Sequence, residues 1–190
     1  LPLWVADMDF QSPSEVVDAI VERARHGIFG YTEPGRAYDE SIDRWMYERH
    51  GWTVNPHWFA LAPGVVFALA TCVRAYTEPG DAVLIQPPVY YPFFEVIREN
   101  GRVVAKAPLA YAGAGRPYSI NFDAFERALG ESGAKLFLLC NPHNPVGRVW
   151  REDELRRLGE ICLAYGVTIV SDEIHMDFVR PGHRHIPLAN

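Results

Sequence analysis

Apolar positions recur at helical spacing in the first part of the chain. In the segment that begins at Ser12 and ends at Gly27, valine and isoleucine return every three or four residues, Ser12 and Glu15 stand at capping-box positions, and Pro13 stands at the first helical position. We predict a helix here that ends at the glycine. A second helix is predicted at about residues 37–50, because its apolar residues share one face.

From residue 61 onward, short apolar runs alternate with helical patterns. Nearly continuous apolar strands separated by helices are typical of parallel sheets that are covered on both faces. The predicted strands are LAPGVV at 61–66, AVLIQ at 82–86, RVVAKA at 102–107, KLFLLC at 135–140 and VTIVSDE at 167–173. The first of these segments leads into a third predicted helix, which opens at Gly64. The fold class is therefore α/β, a mostly parallel sheet with helices on both faces.

The composition is that of an ordinary globular protein: 190 residues, 48% hydrophobic and 22% charged, with a formal net charge of -6. The basic residues are scattered, so we expect neither nucleic acid nor a membrane surface as a partner. The sequence shows no apolar run of about 18 residues and no secretory signal. Cys72, Cys140 and Cys162 lie in apolar runs without C-x-x-C spacing, which favours free thiols and a cytoplasmic protein.

Ligands of open α/β sheets bind beyond the carboxyl ends of the strands, because the loops converge there and the following helices point their N-termini at them. Four segments of this sequence fall at that edge, namely LAPGVV, QPPVYYPF at 86–93, NPHNPVG at 141–147 and SDEIHMDF at 171–178. Each has a structural interpretation beside the functional one. The glycine of the first segment could hold a phosphate or only turn the chain, and the tyrosines of the second could stack on a ligand or only pack.

Asp172 follows the apolar strand segment VTIV after a single serine. A carboxylate in such a place needs a partner, since burying it unpaired costs several kcal/mol. A ligand cation or a protonated ring nitrogen would serve, and so would a salt bridge or a helix cap.

The motifs WVADMDF, FGYTEPG, APGVV, QPPVYYPF, LLCNPHNPVGRVW and VSDEIHMDF occur in this order over essentially the whole chain. In this combination the chain resembles the fold-type I pyridoxal phosphate enzymes, within them the class I/II aminotransferase-like family, and in particular its MalY/PatB branch of cystathionine beta-lyases, or C-S lyases. The resemblance implies pyridoxal 5′-phosphate as the cofactor and a homodimer. It also implies α,β-elimination of cystathionine- or cysteine-type amino acids to pyruvate, ammonia and a thiol.

The same resemblance implies the residues that hold the cofactor ring. Tyr90 would stack on the pyridine ring, and Asp172 would pair with its protonated nitrogen. Asn144 and His175 would approach the phenolic oxygen of the cofactor.

For the phosphate, the resemblance implies a backbone cradle formed by Gly64, Val65 and Val66. Tyr31 of FGYTEPG would reach across a dimer interface to the phosphate of the neighbouring subunit. The loop around Ala6 and Asp7 would border the substrate.

The Schiff-base lysine of the family lies beyond SDEIHMDF, and this chain ends at Asn190 before reaching it. Its lysines are Lys106 and Lys135, and the second begins a predicted strand, at the edge opposite the loops. We therefore expect no catalytic residue in this chain and no activity of the 190-residue piece alone. The resemblance implies a protein of roughly twice this length, in which residues 1–35 form a dimer- and substrate-facing arm and residues 36–190 form part of the large cofactor-binding domain.

Three alternatives remain open. An aminotransferase would use every residue named above, and a truncated chain without catalysis would keep the fold alone. A metal-dependent hydrolase could use the acids and histidines near the end of the chain, but their spacing matches no metal site, so we expect none. The GHRH segment at 182–185 is predicted to be an exposed loop.

Overall fold

The computed structural model describes residues 6–190, so Trp4 and Val5 of the WVADMDF motif lie outside the described residues. Its contacts divide the chain into two units, Leu1–Tyr38 and Asp39–Asn190. The described elements are, in chain order, α1 (Ser14–His26), α2 (Arg36–His50), a 3-10 turn (Pro56–Trp58), α3 (Val65–Tyr76), β1 (Ala82–Ile85), α4 (Pro92–Arg98), β2 (Val103–Lys106), α5 (Phe122–Ser132), β3 (Leu136–Cys140), α6 (Glu152–Ala164) and β4 (Thr168–Asp172).

The first helix begins at Ser14. Pro13 stands at its N-cap position and no side chain caps the helix, so the capping box predicted for Ser12 and Glu15 was wrong. The carbonyl oxygen of Pro13 accepts the amides of Val16 and Val17. The predicted end is confirmed, since Gly27 takes the left-handed conformation at φ 72°, where glycine carries no Cβ penalty.

The strand predicted at residues 61–66 is not found. Leu61 is exposed, the segment joins none of the ladders of the described sheet, and Val65 already belongs to α3. Apolar residues alone do not make a strand, because its backbone groups need a neighbouring strand. The helix predicted to open at Gly64 is confirmed, with that glycine as its N-cap.

Four parallel strands form one sheet in the order β2-β1-β3-β4, which confirms the α/β class. The chain adds β2 on one side of β1 and β3 on the other. The direction of winding therefore reverses between β1 and β3. In sheets of this kind such a reversal opens a crevice beyond the carboxyl ends of the two strands, and ligands bind there.

Helices cover both faces of the sheet, as predicted. Leu84, Phe137 and Leu139 form one apolar cluster with residues of α5 and α6, whereas Leu136 and Leu138 belong to a second cluster with residues of α3 and α4. All five residues of β3 are buried. Each such side chain contributes about 1.5–3 kcal/mol by burial, so this strand is a firm base for the turn that follows it. Within residues 6–190, no helix combines the length and the apolar content that crossing a membrane requires.

Candidate active site

The turn after β1 carries Tyr90. Val89 and Phe93 are buried on either side of it, which fixes the turn against the sheet, while Tyr90 is half-buried and Tyr91 is exposed. The two tyrosine rings meet edge to face with centroids 5.3 Å apart. The amide of Tyr90 donates a 3.0 Å hydrogen bond to the carbonyl oxygen of Asn144, so this turn is tied to the turn after β3.

The turn after β3, residues 141–147, is anchored at both ends. The side chain of Asn141, which is fully buried, donates a 3.3 Å hydrogen bond to a backbone carbonyl later in the chain. The indole N–H of the fully buried Trp150 donates to the carbonyl oxygen of Cys140 at 2.9 Å. These anchors hold the half-buried Asn144 at the carboxyl edge of the sheet.

His143 lies in the same turn with only 3% of its surface exposed. Neither ring nitrogen has a hydrogen-bond partner within the described residues, and the ring meets Trp150 edge to face at 5.6 Å. Burial lowers the pKa of His143 to about 4 although the nearby Gln86 backbone opposes the shift, so its imidazole is neutral at physiological pH.

Cys140 connects two of the predicted ring-binding residues. It is the last residue of β3, and its register partner is Asp172 at the end of β4. Its Sγ accepts the amide of Asn144 at 3.3 Å and lies 3.5 Å from the carbonyl oxygen of Pro142, to which the thiol donates. Burial raises the pKa of this thiol to about 12, so it stays protonated. Asn144 and Asp172 are thus held by the ends of adjacent strands.

Asp172 is only 7% exposed. Its Oδ1 accepts the amide of Ile174 at 3.2 Å, which is the hydrogen bond that its carboxylate makes within residues 6–190, and no salt bridge joins it there. Burial raises the pKa of Asp172, while this amide and the neighbouring His175 oppose the rise. A buried carboxylate with a single donor has room for a cationic partner, which would offset the free energy of burying its charge.

His175 lies in the turn that follows Asp172. The amide of Met176 donates to the carbonyl oxygen of Glu173, and that of Phe178 donates to the carbonyl oxygen of His175, both at 2.9 Å. The half-buried His175 and Asn144 line one cavity of about 310 Å³. The structure therefore brings these two predicted residues to a common space.

The N-terminus of α3 presents unpaired backbone amides. Gly64 caps the helix without a side-chain hydrogen bond, and its carbonyl oxygen accepts the amide of Ala68. The amides of Val65 and Val66 therefore have no partner within the helix. A Cβ on the glycine would meet no heavy atom within 4 Å, so the space beside Gly64 itself is open. Such a helix start suits an anion.

The other predicted site residues belong to the first unit of the chain. Ala6, Asp7 and Tyr31 are all exposed there, and Tyr31 is fully so, at 108%. Their assignment to the substrate and to a neighbouring subunit stays a prediction.

Neither lysine is placed like a catalytic group. The amide of Lys135 donates to the carbonyl oxygen of Ala82, the first residue of β1, which confirms that Lys135 lies at the amino edge of the sheet. Lys106 ends β2 at the carboxyl edge, is exposed, and holds its ammonium group 5.8 Å from the centre of the Phe94 ring.

Of the three acids considered as metal ligands, Asp172, Glu173 and Asp177, the last two pair with histidines instead. Glu173 lies 3.0 Å from His185 and Asp177 lies 3.1 Å from His50, and residues 6–190 contain no group of three or more His, Cys, Asp or Glu arranged to hold a metal. The prediction of an exposed loop at 182–185 was wrong for His185, which is 2% exposed. In the fold it contacts Glu173 and the ring of His50, partners that local sequence does not reveal.

Sequence reasoning missed the groups that hold the candidate site together. One signal for Cys140 was present, because the last residue of an apolar strand before a polar loop lies at the functional edge. The signal for His50 and His185 was absent, since they are far apart in the sequence and meet only in the fold.

The chain matches the family model described as aminotransferase class I and II over residues 1–189. It is 50% identical over 190 residues to cystathionine beta-lyase PatB of Bacillus subtilis, covering 100% of this chain and 49% of that protein. It is 32% identical over 191 residues to the protein MalY of Escherichia coli, covering 100% and 48%. The crystal structure of cystalysin from Treponema denticola, which contains pyridoxal 5′-phosphate, matches with a TM-score of 0.92 at 39% identity and covers 99% and 47%. The chain spans about half the length of the curated relatives that it matches.

Proposed function

The chain belongs to the aminotransferase class I and II family, and from that premise we propose that the whole protein is a pyridoxal 5′-phosphate-dependent carbon-sulfur lyase. Its substrates are cystathionine- or cysteine-type amino acids, which it converts by α,β-elimination to pyruvate, ammonia and a thiol. The observation that carries the proposal is the 50% identity to a cystathionine beta-lyase over the entire chain. Because the chain spans half of that relative, the proposal concerns the whole protein.

The chemistry of the donor set fits the ring of this cofactor. Asp172 is a buried carboxylate with one hydrogen bond inside the described chain, and a protonated pyridine nitrogen would supply the missing counter-charge. We assign the Tyr90 ring to stacking on the pyridine ring, and Asn144 and His175 to the phenolic oxygen. The shared cavity of Asn144 and His175 and the hydrogen bond between the Tyr90 and Asn144 backbones support this assignment.

The N-terminus of α3 fits the phosphate. Gly64 leaves open space there, and the amides of Val65 and Val66 are the donors that a phosphate would accept. We assign Tyr31 to the phosphate bound by a neighbouring subunit, and its fully exposed side chain supports a homodimer. Ala6 and Asp7 are assigned to the substrate loop.

When bound, pyridoxal 5′-phosphate supplies an electron sink for the electron pair left at the substrate α-carbon after proton removal. The contribution of Asp172 is to hold a proton at the ring nitrogen, because its buried negative charge favours the cationic form. Removal of the α-proton requires a base. Lys135 lies at the opposite edge of the sheet and Lys106 lies over Phe94, so we assign that base to a lysine of the whole protein outside this chain, and we expect the 190-residue chain alone to be inactive.

The free thiols support a cytoplasmic protein. None of Cys72, Cys140 and Cys162 is in a disulfide, and two of them are buried. A reducing compartment keeps such thiols intact, and we propose the cytoplasm on this ground.

An aminotransferase is the second candidate, and the description of the matched family favours it. The two activities need the same Asp172 and the same electron sink, and they differ only in the fate of the electron pair. The experiment is to load the whole protein with pyridoxal 5′-phosphate and to assay it with cystathionine, and separately with amino acids plus 2-oxoglutarate. We expect pyruvate, ammonia and thiol in equal amounts from cystathionine, and little glutamate from 2-oxoglutarate.

The matched control is the Asp172→Asn variant, which keeps the size of the side chain and its acceptor for Ile174 but removes the charge. We expect its pyruvate production to fall on the order of 10²-fold, as for other lost electrostatic groups. Glutamate formation without pyruvate would contradict the lyase proposal and support the aminotransferase. A cofactor-loaded protein that yields neither product would contradict both proposed activities.

A further inference from the structure

Glu173 and Asp177 flank His175 in the turn after β4, and each carboxylate has partners within the protein. The side chains have solvent-exposed fractions of 16% and 40%, respectively, and each is bonded to a histidine whose side chain is almost fully buried. The segment that carries Asp172 and His175 is therefore fixed at two places by groups outside it.

The first anchor is the carboxylate of Glu173, which has three partners. Its Oε1 accepts the Ser171 hydroxyl at 2.8 Å and the Leu188 amide at 2.9 Å, and its Oε2 lies 3.0 Å from Nε2 of His185. A carboxylate only accepts, so Nε2 of His185 is the donor. Both oxygens are satisfied, and the side chain of His185 has an exposed fraction of 0%, so water does not compete for its bond.

The second anchor lies four residues later. Oδ1 of Asp177 is 3.1 Å from Nε2 of His50, and the indole N–H of Trp45 donates to both carboxylate oxygens at 3.1 Å. His50 and Trp45 both belong to α2. A helix thus fixes one end of the turn, and the segment near His185 fixes the other.

The two anchors also contact one another. The rings of His50 and His185 meet edge to face with centroids 5.5 Å apart, and the Arg184 guanidinium donates to the carbonyl oxygen of His50 at 3.0 Å. Only Ile174, His175 and Met176 separate the two anchored acids. A displacement of His175 therefore requires at least one histidine-carboxylate bond to break.

We propose that His50 and His185 are positioning residues, which set the place of His175 and of the neighbouring Asp172 through Asp177 and Glu173. Neither histidine lines the cavity that Asn144 and His175 share. Their function is to keep the turn in the one conformation in which both site residues face the cofactor. The inference rests on the proposed function for the roles of Asp172 and His175.

The test compares leucine and glutamine at each histidine of the whole protein. Leucine fills the volume without a donor, whereas glutamine offers an amide N–H at a similar reach. In the cofactor-free protein, hydrogen exchange of the Met176 and Phe178 amides reports the turn. In an absorbance titration, the Kd for pyridoxal 5′-phosphate reports the site. His185→Leu and His50→Leu should each speed the exchange of these amides about tenfold and raise the Kd about tenfold. The glutamine variants should restore most of the amide protection and most of the cofactor affinity.

Phe125→Leu is the control for general destabilisation, because Phe125 is fully buried in the cluster under α5 and α6. It should lower stability and leave both readouts unchanged. Three results would overturn the inference: leucine variants with unchanged amide protection, glutamine variants as impaired as the leucine variants, or a cofactor affinity that falls equally in Phe125→Leu.

A wild-type protein that binds no pyridoxal 5′-phosphate would contradict the proposed function rather than the positioning. In that case the exchange of the two amides in the leucine and glutamine variants still decides whether the histidines hold the turn.

Discussion

The backbone amide of Tyr90 donates a 3.0 Å hydrogen bond to the carbonyl oxygen of Asn144. It joins the turn after β1 to the turn after β3, the two neighbouring strands between which the winding of the sheet reverses. The bond uses only backbone atoms, so both side chains remain available to a ligand. Residues that lie far apart in the sequence are in this way kept at one edge of the sheet.

Replacement of Tyr90 tests whether its ring stacks on the cofactor. Stacking needs the ring and not the hydroxyl, so Tyr90→Phe should keep the affinity of the whole protein for pyridoxal 5′-phosphate, while Tyr90→Ala should weaken it about tenfold. The measurement is a titration followed by cofactor absorbance.

The neighbouring Tyr91 provides the matched control, because this residue is 66% exposed and its ring contacts that of Tyr90. Tyr91→Ala should leave the affinity unchanged. If the two alanine variants lose the same affinity, the turn as a whole and not the Tyr90 ring binds the cofactor.

Asp172→Asn should have opposite effects on the thermal stability of the cofactor-free protein and of the cofactor-bound protein. Burial raises the pKa of Asp172, so at neutral pH the folded protein holds a charge that is more costly than in the unfolded chain. The free energy of unfolding that depends on Asp172 therefore decreases as the pH rises above the usual aspartate pKa of about 3.9. The variant should therefore unfold at a higher temperature than the wild type at pH 7 without cofactor, and the difference should shrink as the pH is lowered.

With pyridoxal 5′-phosphate bound, the order should reverse, because the wild type then gains a counter-charge for its carboxylate and the variant does not. Thermal unfolding of both proteins with and without cofactor measures the effect. A variant that is less stable than the wild type at pH 7 without cofactor would show that Asp172 has a cationic partner within the protein itself.

Much of the fold follows from local patterns. The uninterrupted apolar run LFLLC predicts a strand buried on both faces, and all five of its residues are buried. Gly27 ends a helix because a left-handed residue is needed there, which is also a local requirement. Such features depend on neighbours in the sequence and could be predicted from it.

The failures share a different cause. Leu61 and its apolar neighbours indicated a strand, but a strand needs a pairing partner, and none of the four strands of the described sheet pairs with them. His185 stands among polar residues and indicated a loop, yet it is buried and bonded to Glu173. The strand order, which places the Tyr90 and Asn144 turns together, is likewise a property of tertiary contacts. The ends of predicted strands indicate candidate site residues. The groups that position those residues cannot be predicted from neighbouring sequence.

His143 should make the protein sensitive to mild acid. Burial lowers its pKa to about 4, whereas it titrates near 6.5 in the unfolded chain, so the unfolded chain binds the extra proton first as pH falls. The part of the free energy of unfolding that depends on a neutral His143 is fully present above pH 6.5 and is lost as the pH falls towards 4. The loss is about 3 kcal/mol, at about 1.4 kcal/mol per pKa unit. His143→Phe keeps an aromatic edge against Trp150 and should lose this part of the pH dependence.

Denaturant unfolding of the cofactor-free protein between pH 7.5 and pH 5 measures the effect of His143. His183→Phe is the control, because His183 is exposed, and its pH profile should follow that of the wild type. Parallel profiles for the wild type and His143→Phe would mean that the imidazole of His143 reaches solvent or a partner in solution.

Alkylation of the cysteines tests whether the turn that carries Asn144 stays closed. Cys140 and Cys162 are buried and burial raises the pKa of each thiol to about 12, whereas Cys72 is partly exposed. The thiolate is the reactive form, so iodoacetamide should modify Cys72 first and the other two on the order of 10² times more slowly. Mass spectrometry of peptides from the folded protein measures each site, and the same reaction in concentrated guanidinium chloride should make the three rates similar. Fast modification of Cys140 alone would mean that its bond to the Asn144 amide opens in solution, and that this side of the site is not formed before the cofactor binds.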